Sequence, residues 1–210
     1  MPATATVART RAEEAILRNF ETAAAQLPGG RAVADARRAA IHAFAEQGLP
    51  HRRIEEWKYS DLRSNLKDAL APATAAAALT PAALDAALGG LATLDADRVV
   101  LVDGCYRADL SRLPQGAGIE ITPLAQALGR PGVGLLHDDP PGHAAIVALN
   151  TAFVTDGAVV RVGQNAAVAR PLLLVAVRAN PQGAQVTTRN IVSVAAGARV
   201  TLIEAHLALA

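Results

Sequence analysis

Apolar positions recur at helical spacing near the start of the chain and shorten into strand-length runs after Asp156. Ile16, Phe20, Ala24 and Leu27 make one stripe and Pro28-Gly29-Gly30 closes it, which predicts a helix over Ala12–Leu27. Val33, Ala36, Ala40, Ile41 and Phe44 predict a second helix over Arg31–Gln47, with Gly48 as its C-terminal cap and Pro50 barring continuation. The two stripes are expected to pack on each other as an antiparallel pair. Ser60 is expected to cap a short helix running toward Leu70, and Ala71–Ala78 reads as a linker. Thr80-Pro81 then starts a helix that ends at Gly89-Gly90.

The middle of the chain is mixed. Arg98–Val102 reads as a strand entering a turn at Asp103-Gly104, and Ile119 with Ile121 as another short strand. Thr122-Pro123 opens a short helix to Leu128, Gly129–Gly142 reads as a loop, and His143–Ala152 as a helix. Beyond Asp156 come the runs Ala158–Val162, Pro171–Val177, Asn190–Val194 and Val200–Leu209, separated by Gly, Asn and Pro. β-branched residues are common there, and Pro171 and Pro181 break any longer helical reading. Small strands at a repeating interval predict the coils of a β-solenoid or one layer of a sandwich. The expected division is a helical region over 1–90, a mixed connecting region over 91–155, and the first coils of a β-helix core over 156–210. A stacked sheet that stops without a polar cap leaves backbone groups unpaired. The expectation is therefore a piece of a longer protein; a self-associating interaction module, a homodimer through the open sheet end, is an alternative.

Composition narrows the classes. Half the residues are apolar (51%) but only 3% are aromatic, so the core is expected to be aliphatic. The net charge of +1 argues against nucleic acid or an anionic membrane as partner. Basic residues gather between Arg31 and Lys67 but alternate with acidic ones, as on a solvated helical face. Cys105 is the single cysteine, which excludes an internal disulfide and fits a reducing cytosol. Met1–Ala15 lacks the apolar core of a secretory signal and no run is long enough to span a bilayer, so a cytoplasmic protein is expected.

Few residues invite chemistry. As a thiolate, Cys105 could hold iron or a persulfide, but a cluster needs several ligands, and a turn cysteine is the preferred reading. Glu204 and His206 share one face of a strand; without a third ligand they read as solvent-facing while Ile203, Ala205 and Leu207 line the interior. His137, Asp138 and Asp139, with His143 nearby, read as a surface loop rather than a metal site. No phosphate-cradling loop is visible, so the chain is not expected to hydrolyse ATP; no catalytic triad or nucleophile elbow is visible either, and no catalytic residue is assigned. Glu56, Trp57, Lys58 and Tyr59, with Glu55, read either as a partner-binding anchor or as a buried brace, the brace being preferred.

Gly48-Leu49-Pro50 followed by Arg53, then Glu56-Trp57-Lys58-Tyr59-Ser60 and Leu62, resembles the N-terminal signature of the SufD family. Val102-Asp103-Gly104, Ala148–Phe153, Asp156-Gly157, Pro171, Arg189-Asn190-Ile191 and Leu202–His206 follow in that family's order. The resemblance implies a non-enzymatic scaffold subunit in iron–sulfur cluster assembly, with a helical start and a right-handed parallel β-helix. It further implies SufB-like and SufC-like partners, contacted mainly through a C-terminal half that this chain does not include. No cofactor is implied for this chain, the cluster being handled by the full complex. The rival reading is a β-solenoid enzyme, an acyltransferase or a carbohydrate-active protein.

Overall fold

The computed structural model describes residues 8–73, 76–114, 116, 118–130 and 144–209. In chain order the helices are α1 (Arg11–Ala23), α2 (Arg31–Gln47), α3 (Leu62–Asn65), α4 (Pro81–Leu88), α5 (Leu124–Leu128) and α6 (Ala144–Phe153). The strands are β1 (Asp97–Val102), β2 (Cys105–Tyr106), β3 (Ile119–Pro123), β4 (Ala158–Val162), β5 (Leu172–Arg178), β6 (Ile191–Val194) and β7 (Leu202–Ala208), with 3-10 turns at Glu55–Trp57 and Gly89–Thr93. Two compact units result. One comprises Met1–Leu27, Arg31–Pro72 and Leu136–Phe153; the other comprises Pro28–Gly30, Ala73–Leu135 and Val154–Ala210.

In the helical unit, α1 begins with a reciprocal cap. The Thr10 hydroxyl accepts from the Glu13 backbone N–H, and the Glu13 carboxylate accepts from the Thr10 N–H at 2.7 Å. Ile16 and Phe20 bury one face of α1 against Phe44, Leu49, Ala152 and Phe153. The Phe20 and Phe153 rings meet edge to face, their centroids 5.6 Å apart. The expected α1–α2 pair is thus only part of the core, because α2 packs mainly along α6. Arg37, buried on α2, donates to the carbonyls of Thr151 and Ala152, a cation at the C-terminal end of α6.

The second unit is built on two small sheets. One has the order β2-β1-β5-β7 and the other β3-β4-β6. Val100, Val102, Leu173, Val175 and Val177 pack one face of the larger sheet against Leu84 and Leu88 of α4. Val99, Leu172 and Leu174 on the opposite face meet Ala158, Val160 and Val162 of the smaller sheet. Strands covered on both faces lose the polar alternation of a half-exposed sheet, which explains the unbroken apolar runs at β1 and β5.

The expectation of a right-handed parallel β-helix is corrected by this topology. Both sheets are mixed: β1–β5, β5–β7 and β4–β6 run parallel, but β1–β2 and β3–β4 are antiparallel. The reversal at β1 has a local cause. Asp103 and Gly104 take φ of 48° and 85°, the two positive values that a tight two-residue hairpin turn requires. The strand-length runs are where the pattern placed them, but the solenoid inferred from their spacing is not formed. The solenoid-enzyme reading loses its fold premise with it. No helix among the described residues is long and apolar enough to cross a membrane.

Candidate functional site

The stretch read as a partner anchor or a buried brace lies on a loop of the helical unit whose backbone is tied to itself. Ile54 N–H donates to the His51 carbonyl, Trp57 N–H to that of Ile54, and Ser60 N–H to that of Trp57, each at 2.9 Å. Arg63 N–H donates back to the Pro50 carbonyl at 3.1 Å, joining the two ends. Ser60 does not cap the helix that follows; Asp61 does, accepting from Ser64 N–H, and that bond holds its carboxyl below the usual range. Helix α3 is a single turn ending at Asn65, well short of Leu70.

A buried carboxylate grips both ends of this loop. One oxygen of Glu13 accepts from Leu49 N–H at 2.8 Å and from the Arg63 guanidinium at 3.1 Å. The side chain of Glu13 is 3% exposed, so breaking this contact would strand a charge in the interior. Gly48 makes room for it. Its φ is +70°, and a Cβ there would stand 2.7 Å from the Glu13 carboxylate.

The loop's own side chains face outward. Glu55, Glu56 and Lys58 are exposed, Trp57 is half-buried, and Tyr59 is 90% exposed. The Lys58 ammonium pairs with Glu55 and stands 5.3 Å from the centre of the Tyr59 ring.

In the second unit the motif residues Asp103-Gly104 and Asp156-Gly157 do a different job. Asp103, with a fully buried side chain, accepts from the N–H groups of Ala77, Ala179 and Asn180 and from the Arg178 guanidinium at 2.9 Å. Burial pushes its carboxyl up, but these donors outweigh burial and hold it below the usual carboxylate range. Asp156 likewise accepts from Tyr106, Ala125 and Gly157 N–H. Gly157 lies so close to the next strand connection that a Cβ would fall 1.8 Å from the Arg189 carbonyl oxygen. Asn190 completes the corner by accepting from Ala158 N–H. These carboxylates bind backbone, so they have little capacity left for a substrate.

The remaining candidates separate clearly. Cys105 is half-buried on β2; burial first, then the nearby Asp156, pushes its thiol up, so the thiolate that a metal or persulfide needs is disfavoured. A lone protonated thiol does not fit an iron–sulfur cluster. Ile203, Ala205 and Leu207 pack into the α4 side of the larger sheet, while Glu204 and His206 are exposed on its other face. There they line a shallow cleft with Leu101, Ala176 and Thr188. His137, Asp138, Asp139 and His143 lie outside the described residues. Among the described residues, no group of three His, Cys, Asp or Glu is placed to hold a metal ion. The buried acceptors Glu13, Asp103 and Asp156 were not foreseen as sites, although Thr10-x-x-Glu13 and the Asp-Gly dipeptides were signals in plain view.

Residues 17–174 match the model of the SufBD protein N-terminal region. That match takes in residues 17–47, ahead of the motifs, and stops before Arg189-Asn190-Ile191 and Leu202–His206. The chain belongs to the SufBD family. Among curated relatives it is 29% identical over 165 residues to the iron–sulfur cluster assembly protein SufD of Escherichia coli. It is 31% identical over 166 residues to an iron–sulfur cluster assembly SufBD family protein of Synechocystis sp.. Each alignment covers 77% of this chain and 36% of the relative, so the chain spans about a third of the length of the relatives it matches.

Proposed function

We propose that this chain provides the N-terminal scaffold region of a non-enzymatic SufD-type subunit in iron–sulfur cluster assembly, working with a SufB-like subunit and a SufC-like ATPase in the cytoplasm. The observation that carries this reading is the family match over residues 17–174. The geometry supports it from a second direction. The carboxylates in the family-like motifs are spent on backbone donors, as a rigid framework requires, and the lone thiol is kept protonated. In this reading the cluster is cargo of the whole complex, and no residue described in this chain is assigned to ligate it.

The test is co-purification of this 210-residue chain, and of a form extended beyond Ala210, with the SufB-like and SufC-like subunits. Retention of either form supports the scaffold reading, and retention of neither refutes it. Self-association is the second reading, favoured by exposed Val192, Val194 and Leu202 on the edge strands β6 and β7. Light scattering across a dilution series that gives one sharp dimer would support that reading instead.

A further inference from the structure

We propose that the outer edge of β7 pairs with the same edge of a second copy of this chain, as an antiparallel two-fold ladder centred on Ala205. This rests on the self-association reading above and adds its interface and its register.

The first observation is which backbone groups β7 leaves unused. β7 ends the order β2-β1-β5-β7, so one of its sides faces no strand of its sheet. Leu209 N–H donates to the Arg178 carbonyl, and the Thr201 carbonyl accepts from Leu172 N–H, both at 2.9 Å. Along a strand each residue sends its N–H and carbonyl to one side, and successive residues alternate. Ile203, Ala205 and Leu207 therefore point their backbone groups at β5, in phase with Thr201 and Leu209. Leu202, Glu204, His206 and Ala208 point theirs outward. β7 carries no Pro or Lys to blunt that edge.

The second is that the strand is complementary to itself. Turning it about Ala205 sets Leu202 opposite Ala208, Ile203 opposite Leu207 and Glu204 opposite His206 of the second copy. Every outward-pointing residue then meets an outward-pointing residue, as paired antiparallel hydrogen bonds require. A carboxylate meets an imidazole, and two-fold symmetry repeats the pair. Glu204 and His206 are both exposed on one face of β7, so their side chains are free to meet across the ladder. The neighbouring registers that keep the hydrogen bonds set Glu204 against Glu204, or His206 against His206. Like groups directly opposite are unfavourable, so the order of residues selects one register.

The third is the extent of the open edge. Residues 188–208 lie along 156–178 through Asp156–Thr188, β4–β6, Ala167–Arg199 and β5–β7, all parallel. β6 thus continues the same edge, and its exposed Val192 and Val194 add apolar surface to that of Leu202.

Sedimentation equilibrium over a dilution series reads the interface, with circular dichroism to confirm the fold of each variant. The 210-residue chain, and a form extended beyond Ala210, are expected to be dimeric. Glu204→His and His206→Glu each replace the complementary pairs by like ones and are expected to weaken the dimer about tenfold. The double variant Glu204→His with His206→Glu restores both pairs and should recover the wild-type affinity. An equimolar mixture of the two single variants should recover it as well. A monomer at every concentration overturns self-association and this interface together. A dimer that neither single variant weakens, or a double variant that stays weak, overturns this interface and leaves self-association standing. An extended form that is monomeric where the 210-residue chain is dimeric gives the edge to a following strand of the same protein. That result overturns the second copy as its occupant.

Discussion

The Asp-Gly corners of the second unit and the Glu56–Tyr59 loop of the helical unit are built on opposite plans. At Asp103-Gly104 and Asp156-Gly157 the carboxylates are buried and saturated by backbone donors, Gly104 supplies the positive φ of the turn, and Gly157 sits where a side chain would collide. At Glu56–Tyr59 the backbone is also hydrogen-bonded, but Glu56, Lys58 and Tyr59 are turned to solvent and Trp57 is half-buried. The first plan spends polar groups on holding strands in register. The second displays them. Acidic residues in the two places thus carry different physical meanings, and burial distinguishes them.

Substitutions at the corners of the second unit should show the largest effects. Gly157→Ala drives a methyl into the Arg189 carbonyl, so the strand connection must shift; a loss of about 3 kcal/mol or more is expected in urea denaturation. Asp103→Ala removes the ionic partner of Arg178 and the acceptor of three N–H groups, with an expected loss of about 3 kcal/mol in the same measurement.

Asp103 also sets a pH dependence. Its folded carboxyl lies below the ordinary value of 3.8, so the folded state binds fewer protons than the unfolded state as acid is added. Its stabilisation is therefore complete above about pH 5 and fades as pH falls through 3.8 toward the lower folded value. Melting curves of Asp103→Asn should consequently lose less on acidification than those of the wild type.

Smaller effects belong to the helical unit. Glu13→Gln keeps an acceptor for Leu49 but leaves Arg63 without its counter-charge, and a loss of about 2 kcal/mol is expected. Thiol chemistry offers a test with no structural perturbation. Cys105 should react with a thiol-specific reagent at neutral pH well below the rate of a free cysteine, because burial and Asp156 disfavour its thiolate. A rate at or above that of the free amino acid would contradict the assignment. The smallest stability effect is expected at Tyr59→Ala, within about 0.5 kcal/mol of wild type, since its side chain is almost fully hydrated.

Much of the local structure was legible because its signals are local. Thr80-Pro81 caps and starts α4, the Thr80 hydroxyl accepting from Ala83 N–H, and Gly48 ends α2 in a left-handed conformation. The strand runs at β4, β5, β6 and β7 were visible in their β-branched content. Sheet topology was not, because pairing direction depends on where the chain reverses. Asp103-Gly104 reads as a turn after a strand, and its hairpin meaning shows only once Val102 and Cys105 are seen to pair.

The carboxylate nodes were hidden for another reason. Glu13 meets Leu49 and Arg63, and Asp103 meets Ala77 and Ala179, partners that only folding brings together. Periodicity cannot report such contacts. The Glu56–Tyr59 stretch stands out in composition, but its sequence contains nothing that says which way Tyr59 points.

The contrast between buried nodes and exposed loop is tested most directly by one paired experiment. Asp103→Asn and Tyr59→Ala would be carried through the same thermal melt beside the wild type. The account predicts that Asp103→Asn melts several degrees lower, whereas Tyr59→Ala melts with the wild type. A Tyr59→Ala chain that melts low, or an Asp103→Asn chain with wild-type stability, would contradict it.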